Sequence, residues 1–217
     1  YRNRIIKIHN MSKSEHLTDN TLRLHTIMIM GNSRDTTFGQ ALMTELSSSN
    51  VEFRIKSIEA LGKLKYTPAS NILVQFLSDQ YSFLEKLAAV GTLGNIGDSN
   101  VILDLSILIN RWPANWIETD GPELRWEAAL ALLKLGYTDR KTEEIIQNLL
   151  SRSYYSSYNE LDENTINFVM LKILHILDSI DNIILLDPFK QQIKILSQDD
   201  PNLEIRNFSK KIYKYLN

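Results

Sequence analysis

The chain has 217 residues, enough for one ordinary domain or a row of short repeats, and its 43% hydrophobic and 23% charged content is that of a folded protein. Eight Gly and 5 Pro leave little turn chemistry for an all-β fold, and the absence of cysteine removes disulfides, zinc–thiolate sites and thiol nucleophiles. With 24 basic against 26 acidic side chains the net charge is −2, without the basic excess of a nucleic-acid binder, and no apolar run reaches the roughly 18 residues of a membrane span.

The opening segment RNRIIKIHNMSK (2–13) reads as a short basic amphipathic helix, placed either as half of a first repeat or near a membrane surface. Residues 1–66 hold 10 Lys/Arg against 6 Asp/Glu and the remainder 14 against 20, an asymmetry that reads first as ordinary solvation. The chain starts at Tyr1 and not at Met, so removal of an upstream segment is expected, with export to a periplasmic or external location weighed against a cytoplasmic one.

A repeated phrase then emerges. In VEFRIKSIEALGKL (51–64) the apolar residues Val51, Ile55, Ile58, Leu61 and Leu64 recur at three and four, one face of a helix, and Ala60 and Gly62 allow close approach of a neighbour. TLRLHTIMIMG (21–31) matches it with Arg23 on Arg54 and Gly31 on Gly62. FLEKLAAVGTLGNIG (83–97) matches with Leu93-Gly94 on Leu61-Gly62, and LRWEAALALLKLG (124–136) with Arg125 on Arg54. NFVMLKILHIL (167–177) and EIRNFSKKIYKYL (204–216), with Arg206 on Arg54, are weaker copies. Between them lie second apolar stripes at 38–46, 69–77, 99–109, 142–150 and 188–196, so each copy is a helical hairpin. Asp19, Asn50, Asp120, Asp162 and Asp200 stand where N-caps of first helices are expected, and Pro122 and Pro201 suit first turns.

The capping Asn50, then Arg54 and Ala60-Leu61-Gly62, at a spacing near 31–32 residues, resembles the short HEAT repeats of phycobilisome lyases. The resemblance covers about residues 20–217 and departs at Lys86 and Asn167, where Arg is expected, and at His175, where Gly is expected. It implies an all-α fold, a right-handed α-α superhelix (solenoid) of about five to six HEAT-like hairpins. A lead-in at 1–19 would precede repeats near 20–50, 51–81, 82–119, 120–161 and 162–200 and a capping helix at 201–217. It also implies that Arg23, Arg54, Arg125 and Arg206 form a ladder, each bonding an acidic or amide group in an adjacent loop.

No catalytic constellation stands out. His9, His16, His25 and His175 form no HExxH pair, no His-Glu dipeptide of the iron-binding HEAT hydroxylases occurs, and neither a phosphate loop nor a Gly-x-Ser-x-Gly elbow is present. No cofactor is expected. RWPANWIETDGPELRW (111–126) interrupts the repeat by about seven residues and holds all three tryptophans. Arg111, Trp112, Trp116 and Trp126 are therefore candidates for partner contact, with infilling of an irregular repeat as the alternative. SRSYYSSYNELDEN (151–164) adds Tyr154 and Tyr155, as adaptable contacts or as an ordinary polar connection. The functional expectation is a non-catalytic scaffold that binds a protein or peptide through a concave face and the Trp-bearing segment, with no nucleic acid as partner. The alternatives are a bilin lyase or chaperone, as the repeat resemblance suggests, and a HEAT-fold DNA glycosylase, which the acidic surroundings Glu118, Asp120, Glu123 and Glu127 oppose.

Overall fold

Apolar side chains spaced three and four apart can leave water only if their helices pack on one another, and the chain does this throughout. In the computed structural model the described residues, 1–13, 20–110, 122–156 and 161–216, form helices joined by short turns, with no strand among them. The expected first helices are α2 (Asn20–Asn32), α4 (Val51–Lys63), α6 (Phe83–Ile96), α8 (Glu123–Lys134), α11 (Glu163–Asp178) and α14 (Leu203–Tyr215). Between them run α3 (Gly39–Glu45), α5 (Ser70–Gln75), α7 (Ile102–Asn110), α9 (Arg140–Leu149) and α13 (Lys190–Asp199). The short α10 (Arg152–Tyr155) and α12 (Ile183–Leu186) lie in connections. The chain divides into two compact units, Tyr1–Ala131 and Leu132–Asn217, with the boundary inside α8.

In the first unit α4 lies between α2 and α6 and buries Phe53, Ile58 and Leu61. The Leu-Gly pairs set how closely these helices approach. A Cβ on Gly31 would stand 2.6 Å from Ala60 Cβ, one on Gly62 would stand 3.0 Å from Thr92 Oγ1, and one on Gly94 would stand 2.7 Å from Ala131 Cα. The second helices share a buried stripe: Phe38, Leu42 and Glu45; Ala69, Leu73 and Phe76; Val101, Leu105 and Leu108. In α1 (Arg2–Ser12), Ile5, His9 and Ser12 continue that stripe in register, and α1 packs on α2.

Each of the first four first helices ends on a left-handed residue at one repeat position: Arg34 (φ 58°), Lys65 (φ 50°), Gly97 (φ 82°) and Gly136 (φ 74°). Two of these are glycines, while Arg34 and Lys65 hold the same conformation with a side chain.

In the second unit Met170, Ile173, Leu174 and Leu177 of α11 form a core with Ile193, Leu196, Ile205 and Ile212. Of the expected caps, Asn50 accepts from Glu52 N–H and Asp162 from Thr165 N–H. Asp200 does not cap α14; Asn202 does, accepting from Glu204 and Ile205 N–H. Asp19 and Asp120 lie outside the described residues. On α14, Lys210, Tyr213 and Lys214 stand at the positions of Ile58, Leu61 and Gly62, which leaves that edge polar.

Candidate binding surface

The polar side chains at recurrent positions are engaged in holding the stack together. Arg23 donates to Glu45 Oε2 from Nε at 3.0 Å and Nη2 at 2.6 Å. His9 Nε2 meets the other oxygen of Glu45 at 2.9 Å, and Lys13 Nζ pairs with that same oxygen. The Glu45 carboxylate has no solvent exposure. Burial pushes its pKa up, but the hydrogen bonds of His9, Lys13 and Arg23 outweigh burial and bring it down to about 2.

One repeat along, Arg54 Nε donates to Glu85 Oε1 at 2.6 Å and Nη1 to the Ser48 carbonyl at 2.5 Å. The other oxygen of Glu85 accepts from Ser82 N–H and Oγ at 3.0 and 2.7 Å, closing a capping box at the start of α6. Arg206 repeats the backbone contact, with Nη1 to the Asp200 carbonyl at 2.6 Å, again six residues back. At Arg125 the equivalent backbone position, 119, lies outside the described residues, and the Arg125 Nε is buried with no hydrogen-bond partner among the described ones.

Where Asn167 replaces the expected arginine, a different guanidinium does its work. Arg152 of α10 donates to both Asp200 oxygens at 2.7 and 2.8 Å and to Asn167 Oδ1 at 2.7 Å, and also pairs with Glu163. Bidentate geometry and burial of the Asp200 side chain, 1% exposed, make this the principal polar clasp of the second unit.

His175 marks a further departure from the repeat. Its place on α11 is that of Gly31, Gly62 and Gly94, where even one added carbon would collide with the next first helix. An imidazole there cannot be buried in the same way. His175 is exposed and tilts against Phe208 of α14, ring centroids 4.5 Å apart, and α11 and α14 run close together over a shorter stretch than α4 and α6. The seam opens into a shallow groove of about 630 Å³ lined by His175, Leu203, Glu204, Asn207, Phe208 and Lys211. Lys211 Nζ lies 5.5 Å from the Phe208 ring centroid and 2.6 Å from Asp178 Oδ2. Large apolar side chains on these helices stand in solvent: Phe168 is 69%, Leu203 62% and Tyr215 55% exposed.

No protein-family model matches the sequence, and no curated protein matches it at a significant level. Solved structures do match in shape. The complex of CpcE and CpcF of phycocyanin lyase from Nostoc sp. PCC7120 superposes with a TM-score of 0.53 at 15% identity, over 98% of this chain and 93% of that one. A designed armadillo repeat protein gives a TM-score of 0.50 at 15% identity, over 98% of this chain and 100% of that one. The chain has the HEAT/armadillo-type helical-repeat fold.

In such a fold a large aromatic ring serves as core or as contact according to its place in the repeat, and the candidate residues divide on that ground. Trp126, on α8 one position after the ladder arginine, is 8% exposed, and Tyr155 is 2% exposed with its hydroxyl donating to the Leu149 carbonyl at 2.7 Å. Both rings are buried, and the Tyr155 phenol satisfies a carbonyl at the end of α9. Tyr154 is half-buried and packs edge-on against Tyr155, ring centroids 5.8 Å apart. Arg111, Trp112 and Trp116 lie outside the described residues, as does His16. Of the groove residues, Phe208 sits in a phrase that reads as an ordinary apolar stripe, and the missing glycine at His175 is the sequence signal that marks the place. Among the described residues no cluster of three His, Cys, Asp or Glu forms a metal site, and no helix is long and apolar enough to cross a membrane.

Proposed function

We propose that this helical-repeat protein is a non-catalytic scaffold that binds a protein or peptide partner, with the α11–α14 groove and its exposed rim as one contact surface. The observation that carries this reading is an open groove whose lining includes Phe208 and the exposed Leu203, with a further exposed apolar side chain, Phe168, seven residues before His175 on α11. Large apolar side chains grouped in solvent cost free energy in the unbound state and are the usual mark of an interaction site. The recurrent arginines and their carboxylates support the same reading, since their hydrogen bonds are spent within the stack. Arg111, Trp112 and Trp116 are proposed as a second contact, on their composition alone.

The test compares proteins captured from native lysate by the wild-type chain, by a Phe168→Asp/Leu203→Asp variant and by a Trp112→Ala/Trp116→Ala variant, each with unchanged helicity and melting. One protein enriched by wild type and depleted by about tenfold or more with the first variant is the predicted outcome. Depletion by the second variant alone would move the contact to the tryptophans. Identical profiles from all three would contradict the scaffold reading.

A bilin-handling role is the second reading, favoured by likeness in fold to a phycocyanin lyase complex. The groove, with an imidazole, a lysine and an apolar floor, has chemistry compatible with a tetrapyrrole carboxylate and ring. A shift in bilin absorbance at micromolar protein, lost on His175→Gly/Lys211→Ala, would establish it in place of peptide binding. An unchanged spectrum would remove it.

A further inference from the structure

In the first unit the buried stripe of the second helices changes chemistry at one crossing. Leu42, Leu73 and Leu105 share one repeat position, and Phe76 and Leu108 share the next one along the stripe, all of them buried. Where α1 meets α2 and α3, His9 takes the first of these positions and Glu45 the second, and neither side chain has any solvent exposure. Of the residues that α1 buries, Ile5, His9 and Ser12, one alone is apolar. Two buried ionisable groups thus stand where leucine and phenylalanine serve the neighbouring repeats, an exchange that costs stability unless the pair does something hydrocarbon cannot.

What holds α1 is a set of polar bonds that meet at one carboxylate. His9 Nδ1 lies 2.8 Å from Thr26 Oγ1 on α2, and its Nε2 lies 2.9 Å from Glu45 Oε1 on α3. Lys13, which follows α1, pairs with the same oxygen, and Arg23 of α2 donates to the other. These are the basic groups that face Glu45 among the described residues, where no second acid shares them; Glu15, His16 and Asp19 lie outside those residues. As an anion Glu45 binds all three. Protonated, it leaves them crowded round a neutral carboxyl out of reach of water, and undocking carries His9 and Lys13 into solvent. Burial raises the Glu45 pKa, and the hydrogen bonds of His9, Lys13 and Arg23 outweigh it to give about 2 in place of 4.5. Docking is therefore complete above about pH 4.5 and is lost as the pH falls towards 2. Glu85 also releases Arg54 in acid, but α4 and α6 pack together with Phe53, Ile58, Leu61, Val90 and Leu93 buried, and no proton alters that contact.

We infer that α1 is a releasable strap, clasped to α2 and α3 through Glu45 and set free by acid while the remainder of the first unit stays folded. The inference goes beyond the scaffold reading and does not rest on it.

The chain has no cysteine, so paired spin labels can be attached at chosen sites of the full chain. One pair joins α1 to α3, Asn3→Cys with Gln40→Cys, and a control pair joins α4 to α5, Lys63→Cys with Gln75→Cys, all at exposed positions. Double electron–electron resonance is predicted to give one narrow distance for each pair near pH 7. At about pH 3 the α1–α3 pair gains a longer, broad component that disappears on neutralisation, while the control pair is unchanged. The released fraction grows by up to about tenfold for each pH unit of acidification, the slope of a single proton. Glu45→Gln, which carries no charge at any pH, is predicted to show the broad component already near pH 7. His9→Leu/Glu45→Phe, which restores the residue types of the neighbouring repeats, is predicted to keep the narrow distance at both pH values. An α1–α3 distance unchanged in acid, or broadening of both pairs together, overturns the inference. So does a narrow distance in Glu45→Gln near pH 7, or an acid response in His9→Leu/Glu45→Phe equal to that of wild type.

Discussion

Glu45 shows how a buried charge is stabilised in this chain. Its carboxylate has lost water altogether, and the cost of that loss is met by direct hydrogen bonds from His9, Arg23 and Lys13, contributed by two other helices and the residue that follows α1. The folded value of about 2 lies below the ordinary 4.5, so protons favour the unfolded chain. The contribution is complete above about pH 4.5 and is lost as the pH falls through that window towards 2. Glu45→Gln is therefore predicted to lower stability by about 2–3 kcal/mol near pH 7, with the difference from wild type closing between pH 4.5 and 2. Urea unfolding at a series of pH values checks this, and a gap that stays constant across the window would contradict it. Sequence reading placed Arg23 on the ladder but gave no reason to pair it with Glu45 or His9, because the partners lie on helices whose relative placement only packing decides. Ser82 and Glu85 were more accessible, since a Ser three residues before a Glu at a helix start is a capping signal; the phrase beginning at Phe83 obscured it.

The first four first helices are each followed by a left-handed residue. Gly97 and Gly136 take this conformation at low cost, whereas Arg34 and Lys65 carry a Cβ through the same backbone. Lys65→Gly is predicted to raise stability by about 0.5–1 kcal/mol despite removing a side chain, as read from the shift in thermal midpoint. A loss of stability would mean that the Lys65 side chain contributes more than its backbone strain costs. Arginine and lysine carry no turn signal, so this repeat of four was hidden although the spacing that produces it was plain.

Among elements, the crossing of neighbouring first helices depends on a single small residue. Alanine favours a helix over glycine by about 1 kcal/mol, yet at Gly94 the added carbon would lie 2.7 Å from the backbone of Ala131. Displacing a packed helix costs more than the propensity returns, so Gly94→Ala is predicted to destabilise by about 1–3 kcal/mol in chemical denaturation. A neutral or stabilising result would show that α6 and α8 are not in close contact there. The same logic makes His175 informative. Its departure from the repeat was visible in the sequence, but its consequence, an open seam between α11 and α14, followed only once the glycines at the other crossings were seen in contact. Arg152 is the reverse case. The loss of an arginine at Asn167 was visible, while its replacement fifteen residues upstream lay in a Ser- and Tyr-rich stretch without periodicity, where sequence gives no geometry.

At the scale of the whole molecule, the repeat was legible because a helical hairpin cannot bury its own apolar face, so stacking imposes one pattern on every copy. Function has no such pattern, since binding uses what the stack leaves over. Tryptophan and tyrosine drew attention by their size, yet Trp126 and Tyr155 are core, while the leftover apolar surface belongs to plainer residues such as Phe168 and Leu203. The most direct measurement is site-specific photo-crosslinking in native lysate, with a benzophenone side chain in place of Leu203 and, as control, in place of Lys65, at the end of another first helix. The account predicts that the probe at position 203 joins the chain to one discrete protein that the probe at 65 does not reach, and that Phe168→Asp abolishes the adduct. Absence of any adduct at 203, or the same adducts at both positions, would contradict a partner bound at the α11–α14 groove.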